Sequence, residues 1–227
     1  RKDIIHLLTH PPINCVLQDI EGQINHIKAS GKGVFFIDQG KLSLSVKTQP
    51  FQIKHLRHLF PFAKPWKVTG TATTTFAVTG HIDQPTLKGL LVTTQPKIYG
   101  LKPDTLKIGY TLYRQQLQAA IVNGTIYDGT LSGSCDVSFA ASPPDLSFSL
   151  DGDNLAIQRV FPSMKKHFDG TFDIFSLGKG KTDDFFMTAS LQSHSLSLYR
   201  QQLYRGLLDC HVLDNKDVQE KIGRAHV

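Results

Sequence analysis

From Val68 to Ile82 the chain alternates strictly between two kinds of residue. Even positions read Val68, Gly70, Ala72, Thr74, Phe76, Val78, Gly80 and Ile82, and odd positions read Thr69, Thr71, Thr73, Thr75, Ala77, Thr79 and His81. Successive side chains of an extended strand point to opposite faces, so this period predicts one mainly apolar and one hydroxyl-rich face. That is the signature of an antiparallel strand with one side wet. The pattern returns where Tyr127, Gly129, Leu131, Gly133, Cys135, Val137 and Phe139 interleave with Asp128, Thr130, Ser132, Ser134, Asp136 and Ser138. It returns again where Leu146, Phe148 and Leu150 alternate with Ser147 and Ser149, after the breaker Ser142-Pro143-Pro144-Asp145.

Shorter strands are predicted at about 104–113, 115–122, 171–177, 184–191 and 194–200. Turns are expected at Asn123-Gly124, Asp128-Gly129 and Asp151-Gly152, and a hairpin turn at Gly31-Lys32-Gly33. Glycines inside strands point to bulges or bends that curve a sheet. Two short helices are expected. Phe51 to Phe60 puts Ile53, Leu56, Leu59 and Phe60 on one face before Pro61; Leu155 to His167 offers Ile157, Val160 and Phe161, with a cap at Asp153 or Asn154. These helices open an internal repeat. Phe60-Pro61 precedes Gly70-Thr71 as Phe161-Pro162 precedes Gly170-Thr171, and Leu112-Tyr113-Arg114-Gln115-Gln116-Leu117 recurs as Leu198-Tyr199-Arg200-Gln201-Gln202-Leu203. The unequal offsets are read as differences in loop length. Approximate units are 51–150 and a truncated 155–221, within a β segment over 13–221 preceded by a helix or linker at 1–12. Repeated antiparallel units stack, each covering its neighbour's open end.

Composition narrows the function classes. Apolar residues make up 40% of the 227 and charged residues 19%, which excludes disorder. No apolar run approaches the roughly 18 residues of a membrane span. The net charge of +6 is dispersed, without the basic block of a nucleic-acid-binding arm, and is compatible with an anionic membrane surface. Cys15, Cys135 and Cys210 lie far apart and make neither a disulfide framework nor a zinc site. The chain begins at Arg1, so an export signal or anchor is expected upstream, and Ile222-Gly223-Arg224-Ala225-His226-Val227 reads as an in-frame sequencing adapter rather than native sequence.

Motifs that carry chemistry are incomplete. Gly180-Lys181-Thr182 lacks the glycine five residues earlier that a phosphate loop needs, Phe175 standing there, and Gly31-Lys32-Gly33 meets Phe36 at the next glycine position of a dinucleotide motif. In Gly129-Thr130-Leu131-Ser132-Gly133 the serine is one place late for a nucleophile elbow. His194 and Ser195, adjacent on a strand, face opposite ways. The pairs His6/His10 and His55/His58 lack a carboxylate or thiolate to complete a metal site, and Asp151-Gly152-Asp153-Asn154 lacks the twelve-residue calcium pattern. Neither catalysis nor a cofactor or metal is expected.

Three phrases together resemble the AsmA/TamB-like superfamily of envelope proteins: Val16-Leu17-Gln18-Asp19-Ile20-Glu21-Gly22-Gln23-Ile24; Thr69-Gly70-Thr71 through His81-Ile82-Asp83-Gln84-Pro85-Thr86-Leu87-Lys88-Gly89-Leu90; and Ile126-Tyr127-Asp128-Gly129-Thr130-Leu131-Ser132-Gly133, where Asp128 replaces a glycine. The resemblance spans roughly 13–205. It implies a periplasmic protein held in the inner membrane by an N-terminal helix outside this chain. Its long β-groove would carry phospholipid between the two membranes or serve outer-membrane assembly, with an outer-membrane assembly partner.

The expected fold is therefore mainly β: an elongated, curved antiparallel β-groove built of repeats, with a few short helices. Candidate lining residues are Val68, Ala72, Phe76, Val78, Ile82, Tyr127, Leu131, Val137, Phe139, Leu146, Phe148 and Leu150. Phe76 and Leu131 are expected on the same concave face, against phospholipid acyl chains. The alternative is a structural or adhesive β-repeat protein whose apolar face is a filled core.

Overall fold

The alternating segments do become strands, and they join a single sheet. The computed structural model describes residues 14–24, 26–56, 67–98, 101–160, 168–198, 201–203 and 207–212. Its strands are β1 (Asn14–Ile24), β2 (Ile27–Phe36), β3 (Lys41–Thr48), β4 (Phe51–Gln52), β5 (Val68–His81), β6 (Thr86–Ile98), β7 (Thr105–Tyr113), β8 (Gln116–Ile126), β9 (Gly129–Ser138), β10 (Asp145–Ala156), β11 (Phe168–Lys181), β12 (Asp184–Leu198), β13 (Gln201–Leu203) and β14 (Leu207–Val212). The hydrogen-bonded path runs β1-β2-β3-β5-β6-β7-β8-β9-β10-β11-β12-β13, with β4 beside β5 and β14 beside β12. All these pairings are antiparallel. Twelve strands along the path, at about 4.8 Å a step, extend it about 53 Å.

Directly opposed residues in an antiparallel pair share a face, so the register carries one parity across the sheet. One row reads Ile20, Gly31, Val46, Phe76, Gly89, Tyr110, Ala119, Cys135, Phe148, Gly178 and Met187. Leu131 lies four residues before Cys135 on β9 and therefore shares the face of Phe76. That face is concave. Ile20 of β1 and Ala119 of β8 border one common hollow, although they lie six strand spacings apart, about 29 Å in a flat sheet. The structure is thus an elongated, curved antiparallel groove with very little helix.

Close contact inside the curve leaves no room for a side chain at some inward glycines. A Cβ at Gly89 would stand 2.6 Å from both Phe76 and the Tyr110 ring, and one at Gly178 would enter the Phe148 ring. Large neighbours lie across these gaps, the arrangement by which curved sheets fill bare backbone.

A repeat of about 100 residues organises the elements. β1 and β8 have 11 residues each, β2 and β9 10 each, and β5 and β11 14 each. β3 and β4, broken at Gln49-Pro50, take the place of the unbroken β10, as expected where proline removes a ladder donor. The 3-10 turn Ile53–His55 packs on β5 as the single-turn helix α1 (Ile157–Val160) packs on β11. Two small cores result, both at the edge of the sheet where β1 and β8 end. Ile27, Phe51 and Ala72 gather Ile53, Leu56 and Leu91; Ile126, Leu155 and Phe172 gather Tyr127, Leu131, Ile157, Val160, Ile174 and Leu191. Ala72 and Phe172, like Leu91 and Leu191, are 100 residues apart.

Several expectations need correction. Phe51 and Gln52 are strand, and only Ile53–His55 turns helically; Leu155 belongs to β10 and helix α1 is one turn long, while 57–60 and 161–167 lie outside the described residues. Helix caps at Asp153 or Asn154 do not form, because both sit in a β10 bulge where the Asn154 amide donates to Asp173 Oδ1 at 2.8 Å. Asn123-Gly124, Asp151-Gly152 and Gly31-Lys32-Gly33 run inside β8, β10 and β2: partner strands satisfy the backbone that would otherwise turn, on both sides of Asp151-Gly152 and from β7 alone at Asn123-Gly124, where the β8–β9 register shifts. The segments 184–191 and 194–200 merge into β12. The hexapeptide repeat is not an element repeat, for Tyr113↔Gln116 closes a hairpin at one edge of the sheet and Leu198↔Gln201 one at the other.

Gly70 has φ +120°, and a Cβ there would lie 2.9 Å from the Gln95 carbonyl oxygen and from Pro96 Cα, both backbone atoms. Gly70→Ala is expected to cost about 1–3 kcal/mol, a fall of roughly 3–10 °C in melting temperature. Gly22→Ala, where a Cβ meets nothing within 4 Å, should leave the melt unchanged. Equal melts for both variants would contradict this account of the bulge.

Candidate functional site

The concave face is built from alternate residues of at least seven strands. β3 contributes Leu44 and Val46, β5 Phe76 and Val78, β6 Leu87 and Leu91, β7 Ile108, Tyr110 and Leu112, and β8 Leu117 and Ala119, around a hollow of about 710 Å³. Most of these side chains are only half-buried, because no second layer covers them. The sheet therefore has a lined but unfilled interior.

Polarity is excluded from this face in two ways. First, at the inward positions that the register assigns on β1 to β12, no Asp, Glu, Lys or Arg occurs; Lys28, Lys32, Lys47, Lys88, Lys107, Asp136 and Lys179 all take the opposite parity, although Lys32 on β2 still borders the hollow. Second, the inward hydroxyls are satisfied within the sheet. The Thr74 amide donates to Thr48 Oγ1 at 2.9 Å, and the Thr74 and Tyr110 hydroxyls share a bond of 2.7 Å. Thr93 donates to the Leu106 carbonyl at 3.2 Å and Ser176 to that of Thr188 at 3.1 Å. A hydroxyl bonded to its own sheet presents mainly its carbon atoms to a visitor, so the wall is more apolar than its composition suggests.

The twelve candidates divide by place. Phe76 and Val78 border the hollow directly. Leu131, Phe148 and Leu150 continue the same face half-buried along β9 and β10, with the Phe148 and Phe185 rings edge to face at 5.9 Å, whereas Val137 and Leu146 take the same parity but are buried, 3% and 6% exposed. Ala72, 1% exposed, is core rather than lining, and Leu131 also packs on the second core. Val68 stands beyond the Thr69/Thr71 register shift. Ile82 is a correction: it lies past the end of β5, 56% exposed. Tyr127 and Phe139 also leave the strands, in the turns on either side of β9: Tyr127 and Asp128 form a two-residue connection with positive φ, and Phe139 follows the end of β9 at Ser138.

Lining residues that apolar alternation had signalled but that were not selected are Leu42, Leu44 and Val46, in the run Lys41-Leu42-Ser43-Leu44-Ser45-Val46-Lys47. Thr48, Thr74 and Tyr110 carried no such signal, since only the register brings their hydroxyls together.

Burial pushes the Tyr110 phenol above its usual range, and the Thr74 hydrogen bond works against the shift. Burial, helped by neighbouring Asp136, raises the Cys135 thiol to about 11. Both shifts reflect the shielding of these two groups by their immediate neighbours. Among the described residues no group of three His, Cys, Asp or Glu could hold a metal ion, and no helix is long and apolar enough to cross a membrane.

No family model matches the chain, and neither curated proteins nor solved structures give a match.

Cys135 offers a direct probe of the face. In a Cys15→Ser/Cys210→Ser background, iodoacetamide labelling should still be accelerating past pH 10, and Asp136→Asn should move the profile lower. The unfolded chain loses the thiol proton near its ordinary 9.0 while the folded chain holds it to about 11, so this group's contribution is intact below pH 9 and is lost between 9 and 11. A labelling plateau by pH 9 would contradict a desolvated Cys135.

Proposed function

We propose that this chain is a segment of an AsmA/TamB-like envelope protein whose apolar groove shelters phospholipid acyl chains for transport between membranes or for outer-membrane assembly and homeostasis. The observation that carries the reading is the internally hydrogen-bonded concave face, with no charged residue at its inward register positions, around an unfilled hollow of about 710 Å³ that only Lys32 borders with a charge. A face built to be covered by a second sheet would bury its side chains; here the apolar rows stay half open.

The physics suits passage better than capture. Each methylene moved from water to such a wall is worth about 0.8 kcal/mol. Similar apolar rows recur along the strand order, so an acyl chain can shift from one to the next without meeting a charge or losing a specific hydrogen bond. No catalytic group is required. Flanking regions would supply the inner-membrane anchor and the contacts to the outer membrane and its assembly partner, and would place the protein in the periplasm.

Lipid retention tests this. Protein purified from membranes should carry phospholipid detectable by mass spectrometry, and a photocrosslinking residue at Val78 should capture it whereas one at Thr75 should not. Phe76→Asp should lower retention at least about tenfold. Its melt should change little, because the carboxylate is hydrated when the hollow is empty. Thr75→Asp on the outer face should cost less than about 0.5 kcal/mol and keep the lipid. Leu131→Asp strikes a core as well and should lower the melting temperature. Absence of lipid from the wild-type protein, with the melt of Phe76→Asp collapsing, would favour a filled structural repeat instead.

A further inference from the structure

At the edge opposite the two small cores, a second hollow of about 890 Å³ opens between the β5–β6 turn, the β7–β8 turn and the end of β9. It shares Val78, Leu87 and Leu112 with the apolar groove, so one continuous surface leads from hydrocarbon-like wall to polar lip. The lip holds Arg114, in the two-residue turn closed by Tyr113↔Gln116. Its guanidinium donates to Gln84 Oε1 at 3.1 Å and lies 5.1 Å from the centre of the Tyr113 ring. Neither partner is anionic, whereas Arg159 and Lys181 are paired with Asp128 and Asp145. Arg114 is thus a positive charge at the mouth of an apolar hollow, with planar donors suited to a phosphate. Asp83 borders the same space and opposes an anion there.

We propose that this lip is a binding site for the phosphate of a phospholipid headgroup, with Arg114 as its ligand, while the acyl chains enter the groove; the inference rests on the acyl-sheltering reading above. An amphiphile needs both surfaces within one molecule's reach, and here they share three side chains. The Tyr113 ring and Gln84 hold the guanidinium in place, which lowers the ordering cost of contact. Asp83 weakens the contact, as suits a cargo that must leave.

The test compares fluorescent phosphatidylglycerol with an uncharged diacylglycerol of the same chains, binding to the whole chain. Wild type should prefer phosphatidylglycerol by about fivefold, the upper range for an exposed ion pair. Arg114→Gln should abolish the preference without altering diacylglycerol affinity or the melt, Arg114→Lys should restore part of it, and Asp83→Asn should enlarge it. Equal phosphatidylglycerol affinity for Arg114→Gln and wild type would overturn the headgroup site and leave the acyl groove standing. Failure of wild type to bind either lipid would remove the groove reading and the headgroup site with it. Displacement of phosphatidylglycerol by excess inorganic phosphate down to the diacylglycerol affinity would reassign the site to free phosphate.

Discussion

Backbone pairing in this sheet hands one parity from strand to strand, and everything else in the structure follows from that parity. Because side chains alternate with period two, a slip of one residue between any two strands would turn every following inward residue outward. Lys47 would replace Val46 or Lys88 would replace Gly89 on the concave face, and a charge would stand in the hollow. Bulges do not break the rule. The extra residues at Gln18-Asp19 and Asp153-Asn154 are absorbed locally, so that Ile20 and Leu155 resume the inward face.

With parity secured, stability and openness separate in space. The buried clusters sit at one edge, where the 3-10 turn Ile53–His55 and helix α1 press Phe51, Ala72, Leu155 and Phe172 into small cores. Across the middle of the sheet the backbone ladder carries the structure, each inner strand having both edges paired, and the inward side chains are left half-exposed. The groove is therefore anchored along one edge and unfilled along its floor. A filled interior would be more stable per residue but would leave nothing for a ligand to occupy.

Much of this was readable from residue order. The runs at 68–82 and 127–139 specified strands and their wet and dry faces, because alternation is a local property that survives any tertiary arrangement. The 100-residue spacing of Gly70 and Gly170 also had a structural cause, since both carry positive φ beside a register shift. Short punctuation was less legible. Asn123-Gly124 and Asp151-Gly152 have turn chemistry, yet pairing with β7 holds the first in the strand and neighbours on both sides hold the second, and Leu155 reads as helix by its spacing but is claimed by the β10–β11 pairing. Apolar membership also misled at Ile82, where the strand had already ended at His81.

Composition and periodicity by themselves determined that the chain is β-rich, one-sided and without a recognisable catalytic motif, because those properties depend on neighbours two residues away. Only the tertiary structure decided that the dry side is concave and unfilled, that Thr48, Thr74 and Tyr110 neutralise one another inside it, and that Arg114 stands at its lip. Those facts depend on which strands pair and how far the sheet curls, so they join residues as distant as Ile20 and Ala119, which no local pattern relates.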